Sequence, residues 1–152
     1  YFGDYEVFSS EEMLYVPIEN FNIYFKGFVD AVVKVDDTYH LFDWKTCSWG
    51  WDSRKKAEKL VAYQLTLYKH FFCQKHKIDP ANVETHFALL KRTAKKNRVE
   101  LFRVTSGEKK TENALKLLYQ AIYNITKKFA IKNRLKCHKP YPCKLLNTEH
   151  CR

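Results

Sequence analysis

Glycine and proline are scarce in this chain, with four of each among 152 residues. This scarcity argues against a Pro/Gly-rich linker, a fibrous repeat or a low-complexity chain. No apolar run approaches the roughly 20 residues that a membrane-spanning helix needs. The N-terminus also lacks the basic and apolar segments of a secretory signal peptide. We therefore expect an intracellular globular domain that has no membrane partner.

Acidic residues are also in short supply relative to basic ones. The chain has 27 Lys and Arg against 17 Asp and Glu, a formal charge of +10. A surplus of this size attracts polyanions, and nucleic acid is the commonest polyanion in a cell. The plainer alternative is that the charge only keeps the protein in solution. Charge alone does not decide between the two.

Hydrophobic spacing predicts one mixed domain. Residues rich in β-branched and aromatic side chains form five strand-like segments, 5–18, 21–35, 38–45, 84–92 and 98–105. Apolar residues recur at helical spacing in 52–77 and 111–133, where Asp52 or Ser53 can cap the first helix. The order β-β-β-α-β-β-α predicts a mixed α/β fold with a central mixed β-sheet flanked by helices.

Asp43 and Lys45 interrupt an otherwise apolar strand. Residues two apart in a strand point to the same face, so these two side chains project together and Trp44 faces the opposite side. An unpaired buried charge is costly, so the pair requires an explanation. A simple salt bridge at the sheet surface is one, and an Asp-x-Lys spacing alone is weak evidence of function.

Asp30 adds a second carboxylate to this region. If residues 36–37 form the turn of a hairpin, Asp30 lies opposite residue 43 or 44. Two adjacent carboxylates repel each other unless a proton or cation lies between them, and hard oxygen ligands suit Mg²⁺ or Mn²⁺. Lys45 can then stabilise charge on a phosphate or orient a water. This set is suited to phosphodiester cleavage.

Three motifs together resemble the PD-(D/E)XK nuclease superfamily, and its RecB-type branch in particular. They are Gly27–Asp30, Asp43–Thr46 and the helical pair Gln64 and Tyr68. The last pair is four residues apart and therefore shares one helix face. The resemblance covers roughly residues 5–105, and similar nucleases act in CRISPR adaptation and in phages and viruses. It implies a restriction-endonuclease-like fold.

The resemblance also implies roles for individual residues. Asp30 and Asp43 would bind one or two Mg²⁺ or Mn²⁺ ions with the backbone carbonyl of Trp44, and Lys45 would be the catalytic lysine. Gln64 and Tyr68 would contact DNA or support the site, although Tyr68 can also be read as a core aromatic. The substrate would be single- or double-stranded DNA. Exonuclease or structure-selective action in replication, recombination or repair fits this branch, and a phage or virus is a conceivable source.

The chain departs from the RecB pattern at its start. Members of that branch usually carry a His or Glu on an upstream helix, and no such helix precedes residue 5. Glu11 or Glu12 is a substitute that cannot be aligned. We therefore expect residues 1–136 to form the nuclease core without its N-terminal helix, within a chain that has further domains.

The last sixteen residues, 137–152, form a tail that contains cysteine and histidine. Cys137, Cys143 and Cys151 resemble the C-terminal cysteines that hold an iron–sulfur cluster in some relatives, and a zinc site is the other metal option. The expected fourth upstream cysteine is missing, so free thiols in a basic tail are the simpler interpretation. Cys47 and Cys73 are expected to be packing residues.

Further residues are candidates for nucleic-acid contact. Lys91 and Arg92 precede a basic turn at residues 93–97. Trp49 and Trp51 follow the catalytic-type motif, where they can stack on bases or hold the loop to the core. Two rival functions stay open: a catalytically silent DNA-binding domain of the same fold, and an RNA-directed phosphodiesterase.

Overall fold

The protein is described here from a computed structural model that covers residues 3–129. Within that range five strands form one sheet: β1 (Glu6–Pro17), β2 (Tyr24–Val35), β3 (Thr38–Cys47), β4 (Val83–Lys91) and β5 (Val99–Val104). The helices are α1 (Ser53–Lys56), α2 (Lys59–His76) and α3 (Glu108–Thr126), with a 3₁₀ turn at Pro80–Asn82. The predicted element order is confirmed.

The sheet is mixed, as predicted. Its strand order is β1-β2-β3-β4-β5, and neighbouring strands are antiparallel except β3 and β4, which run parallel. A parallel pair needs a long crossover between its strands, and α1 and α2 supply it. The β2–β3 hairpin turns at Asp36 and Asp37, where Asp36 takes a positive φ of 51°. Asp is among the residues that tolerate this left-handed conformation.

The helical segment predicted over residues 52–77 is divided into two helices. Asp52 caps α1 by accepting a hydrogen bond from the Lys55 amide at 2.7 Å. Glu58 then takes an extended backbone (ψ 117°) at the N-cap of α2, and its carboxylate accepts a hydrogen bond from Lys55 of α1. Because no glycine or proline marks the break, hydrophobic spacing alone did not reveal it.

The main core lies between α2 and the sheet. Leu65 of α2 is fully buried with Phe87 and Leu89 of β4, while Trp51 and Tyr68 pack at the edge of this cluster. Burying a side chain of this size contributes about 1.5–3 kcal/mol. This packing fixes α2 over β3 and β4, and that contact positions the polar residues described below.

The second predicted helix ends earlier than residue 133. α3 stops at Thr126, and the apolar residues Ile125 and Phe129 in the predicted helical segment are exposed. The sheet, α1 and α2 belong to a compact unit that ends at Leu115, and α3 continues the chain into a second unit from Lys116. The predicted boundary between 136 and 137 lies outside the described residues. In the described part, every helix is too short or too polar to cross a membrane.

Candidate functional site

Asp43 and Lys45 project from β3 toward α2. In the parallel ladder Asp43 is the partner of Phe87 and Lys45 is the partner of Leu89, both of which are core residues. The Lys45 Nζ lies 2.5 Å from Oδ2 of Asp43. The Asp43 side chain is 4% exposed and that of Lys45 is 33% exposed. An almost buried carboxylate is therefore joined to an ammonium that reaches solvent.

Asp30 lies beside this pair on β2. The β2–β3 register runs from Val35 and Thr38 to Ala31 and Phe42, and Asp30 and Asp43 are the residues that follow these last partners on the two strands. The predicted hairpin therefore brings Asp30 close to residues 43 and 44. Oδ2 of Asp30 accepts a hydrogen bond from the Trp44 amide at 2.7 Å. The structure thus brings Asp30, Asp43, Trp44 and Lys45 together.

Gln64 and Tyr68 reach the same place from α2. The Gln64 side-chain amide donates to Oδ1 of Asp43 at 2.8 Å and lies 3.2 Å from the Tyr68 hydroxyl, which accepts from it. The four-residue spacing on the helix therefore yields a direct hydrogen-bond chain to Asp43. Tyr68 combines its two predicted roles, because its ring also packs against the core cluster.

Gly27 has a steric role that the motif alone did not show. A Cβ atom at this position would lie 2.9 Å from Cε1 of Tyr68 and 3.2 Å from Cε1 of Phe25. Real Cβ atoms essentially never approach a neighbour as closely as the first distance, so a side chain here would force the Tyr68 ring to shift. Glycine in β2 is needed for the Tyr68 ring to lie against the strand.

The environment of Asp43 favours a cation. Burial raises the pKa of the Asp43 carboxyl, the Lys45 ammonium opposes that rise, and the Asp30 carboxylate adds to it. Within the described residues, buried Oδ2 has no well-aligned hydrogen-bond donor, and its charged neighbour is the Lys45 ammonium. The neighbouring carboxylates of Asp30 and Asp43, with Oδ2 of Asp43 lacking a well-aligned donor, fit the donor set of a hard divalent ion.

We expect Asp43→Asn to stabilise the metal-free protein at neutral pH by about 0.5–2 kcal/mol, the usual range for a stabilising substitution. The folded state holds the Asp43 proton more tightly than the unfolded chain does, because the pKa is raised. The free energy of unfolding must then decrease as pH rises from the Asp43 pKa of the unfolded chain to the higher pKa of the folded protein. The ionised carboxylate therefore costs stability at neutral pH. Urea unfolding in EDTA measures the difference, with exposed Asp37→Asn as the control. A destabilised Asp43→Asn protein would contradict this account.

Comparison with known proteins now decides the family. A profile of the PD-(D/E)XK nuclease superfamily matches residues 3–148. The chain belongs to that superfamily. Its mixed sheet with flanking helices is the restriction-endonuclease-like arrangement expected from the motifs. No curated protein matches this superfamily member.

One solved structure is similar to part of this PD-(D/E)XK chain. It is titled "Crystal structure of SSO0001", with 13% sequence identity and a TM-score of 0.49. The match covers 78% of this chain and 50% of that one. The chain thus spans about half the length of that protein.

The two upstream glutamates differ in their surroundings in this PD-(D/E)XK chain. Glu12 is the ladder partner of Val29, the residue before Asp30. Its carboxylate accepts a hydrogen bond from Lys75, and its Oε1 lies 2.7 Å from Nε2 of His76. Glu11 is exposed, with a positive φ of 53°. The role suggested for these glutamates as substitutes for the upstream ligand stays a prediction.

Lys91 and Arg92, the two basic residues predicted to contact nucleic acid, differ in their exposure and pairing. The Lys91 ammonium lies 3.4 Å from Glu100, which also accepts a hydrogen bond from Lys56, and the Lys91 side chain is only 14% exposed. Arg92 is exposed at the end of β4. Lys91 meets Glu100 across the β4–β5 hairpin, whereas Lys56 reaches Glu100 from 44 positions away in the sequence, and charge counting gave no sign of either pairing.

The two tryptophans of the β3–α1 loop also differ. The Trp51 ring packs on Phe87 at a centroid distance of 5.1 Å, so it holds the loop to the core. The Trp49 side chain is 76% exposed. Of the two alternatives, anchoring describes Trp51, and Trp49 is the ring available for stacking.

The cysteines fall into two groups. Cys73 is buried, and burial raises the pKa of its thiol to about 11, so it is a poor nucleophile and metal ligand. Cys47 packs against the core cluster. The three candidates for an iron–sulfur cluster or zinc, Cys137, Cys143 and Cys151, lie outside the described residues.

Proposed function

We propose that this chain is a metal-dependent deoxyribonuclease of the RecB-type branch that hydrolyses phosphodiester bonds. The observation that carries the proposal is the convergence of Asp30, Asp43 and Lys45 at one point of the sheet, with Gln64 bound to Asp43. An exonuclease or structure-selective nuclease of DNA replication, recombination or repair is the specific form that we favour.

Asp30, Asp43 and the backbone carbonyl of Trp44 are the proposed ligands for one or two Mg²⁺ or Mn²⁺ ions. The metal would polarise the phosphate and lower the pKa of a bound water. The buried carboxylate of Asp43 supports this assignment, because a carboxylate in this environment gains more from a cation than an exposed one would. Gln64 orients the carboxylate by donating to Oδ1.

Lys45 is the proposed catalytic lysine. Its ammonium contacts Asp43 and remains one-third exposed, so it can reach a phosphate that lies at the site. A fixed positive charge there stabilises the negative charge that builds on the phosphate oxygens during attack by water. The Asp43 carboxylate holds the ammonium in place before the substrate arrives.

The exposed cationic residues near the β4–β5 turn are the proposed contacts with the DNA backbone. Arg92 is the principal candidate, while Lys91 can take part only if it leaves Glu100. Trp49 is exposed in the loop that follows β3 and can stack on an unpaired base. The formal charge of +10 supports a polyanionic partner.

Cleavage of labelled nucleic acids tests this function. Wild-type protein is incubated with linear and circular DNA, single- and double-stranded, and with RNA, in Mg²⁺, Mn²⁺ or EDTA. We expect metal-dependent cleavage of DNA, and attack only on linear DNA would identify an exonuclease. DNA binding without cleavage in any metal would favour the catalytically silent domain, and preferential cleavage of RNA would favour the RNA-directed enzyme.

Gln64→Ala is expected to lower metal affinity and cleavage about 10–100-fold, the usual effect of losing a residue that orients a metal ligand. Tyr68→Phe should have a smaller effect, within about threefold, because it removes only the hydroxyl that accepts from Gln64. Mn²⁺ titration and cleavage rates measure both variants. Equal losses in the two variants would show that the hydroxyl, rather than the Gln64–Asp43 bond, is the important contact.

A further inference from the structure

A second group of potential ligands lies on the opposite face of the sheet. His40 is three residues before Asp43 on β3, an odd separation that directs the two side chains to opposite faces. His40 is the ladder partner of Glu84 on β4, and His86 follows two residues later. Among residues 3–129, these three form the group of His, Cys, Asp and Glu residues whose ligand atoms lie within 4.8 Å of one another.

The three ligand atoms form a nearly regular triangle. Nδ1 of His40 and Nε2 of His86 are 3.1 Å apart, and Oε2 of Glu84 lies 3.6 Å from each of them. Zinc binds imidazole nitrogen and carboxylate oxygen at about 2.0–2.2 Å, so tetrahedral ligands lie about 3.3–3.5 Å apart. The triangle has the dimensions of one face of such a tetrahedron.

The neighbouring residues hold the triangle in place. His86 is 1% exposed and His40 is 7% exposed. Arg103 of β5, the ladder partner of His86, binds Oε1 of Glu84 at 2.6 Å and leaves Oε2 directed toward the imidazoles. The guanidinium opposes a cation, but its side chain is 55% exposed and its charge is therefore partly screened by water.

We propose that His40, Glu84 and His86 bind a transition-metal ion of the Zn²⁺ class at a site separate from the nuclease centre. Imidazole ligands select Zn²⁺ over Mg²⁺, whereas the carboxylates at Asp30 and Asp43 have the opposite preference. The ion would join β3 to β4 from the face opposite α2.

The test is a Zn²⁺ titration of EDTA-stripped protein in competition with a chromophoric chelator. Wild type should bind one ion tightly, and His86→Gln and Glu84→Gln should each lower that affinity by at least about tenfold. Glu84→Gln is the milder change, because that side chain is 25% exposed. Saturating Zn²⁺ should also raise the melting temperature by about 5–10 °C at a hundredfold excess over Kd.

Two control variants separate this site from the others. His76→Gln removes a histidine from a His–Glu pair that has no second imidazole, and it should leave the tight Zn²⁺ in place. Asp43→Asn should also retain that ion while losing nuclease activity. If Asp43→Asn rather than Glu84→Gln abolishes the tight binding, the ion belongs to the nuclease centre and the proposal is overturned.

X-ray absorption at the zinc edge identifies the ligands in wild-type protein without any substitution. We expect nitrogen or oxygen neighbours at about 2.0–2.1 Å with the multiple scattering of two imidazoles. A shell of sulfur at about 2.3 Å without imidazole scattering would assign the ion to cysteines. Such a shell, or no stoichiometric Zn²⁺ at all, would leave the three residues as an ordinary hydrogen-bonded cluster.

Discussion

Lys45→Ala is expected to lower the rate of DNA cleavage by about 10²–10³-fold, the usual effect of removing a group that stabilises charge in the transition state. The substitution removes the ammonium that lies 2.5 Å from Asp43. Because the Lys45 side chain is one-third exposed, its truncation should leave the fold intact. Single-turnover cleavage at saturating Mn²⁺ measures the effect on the chemical step apart from metal binding.

Lys55→Ala is the matched control for that experiment. Lys55 is also part of an ion pair, with Glu58 at 2.8 Å, but it lies on α1 and its side chain is 45% exposed. Its loss should change the cleavage rate by less than about fivefold, the most that an exposed ion pair contributes, since Lys55 pairs with Glu58 and not with Asp43. Similar rates for Lys45→Ala and Lys55→Ala would remove Lys45 from the catalytic mechanism.

Gly27→Ala is expected to lower the free energy of unfolding by about 1–3 kcal/mol through overpacking. The new Cβ would lie 2.9 Å from the Tyr68 ring. That ring cannot easily move, because it contacts Phe25, whose own ring stacks on Phe71 at 4.1 Å. Alanine in a strand interior otherwise gains about 0.5–1 kcal/mol over glycine, so a net loss of stability identifies the clash.

Urea unfolding of Gly27→Ala and of Gly107→Ala provides the comparison. Gly107 has no heavy atom within 4 Å of an added Cβ, so its substitution should cost no more than about 0.5–1 kcal/mol. Gly27→Ala should also lower the cleavage rate, because a displaced Tyr68 disturbs the hydrogen bond to Gln64. Equal stability of Gly27→Ala and wild type would show that Tyr68 moves freely and that the close approach is not required.

The sequence predicted the part of the site that depends on local rules. Strand alternation directs Asp43 and Lys45 to one face, and a hairpin that turns at residues 36–37 brings Asp30 to the part of β3 that holds them. The four-residue spacing of Gln64 and Tyr68 gave their common helix face. Each of these predictions depends on the residue spacing of one strand or helix, or on one hairpin between consecutive strands. The tertiary structure was therefore not needed to make it.

Contacts between distant segments could not be predicted in this way. The pairing of Lys56 with Glu100 spans 44 positions, and the hydrogen bond between His40 and His86 spans 46. The predicted helix is divided at Glu58 by an extended backbone conformation, and no glycine or proline in the sequence marks that break. In each case tertiary packing decides the outcome, and propensity has little influence.

The most direct test of the central claim compares wild type with Asp43→Asn in Mn²⁺ and in EDTA. Asp43→Asn preserves the size of the side chain and keeps an acceptor for Gln64, and we expect it to be at least as stable as wild type without metal. We predict that wild type cleaves DNA only when metal is present and that Asp43→Asn does not cleave it. Cleavage by Asp43→Asn at the wild-type rate, or cleavage by wild type in EDTA, would contradict the assignment of Asp30, Asp43 and Lys45 as a metal-dependent nuclease centre.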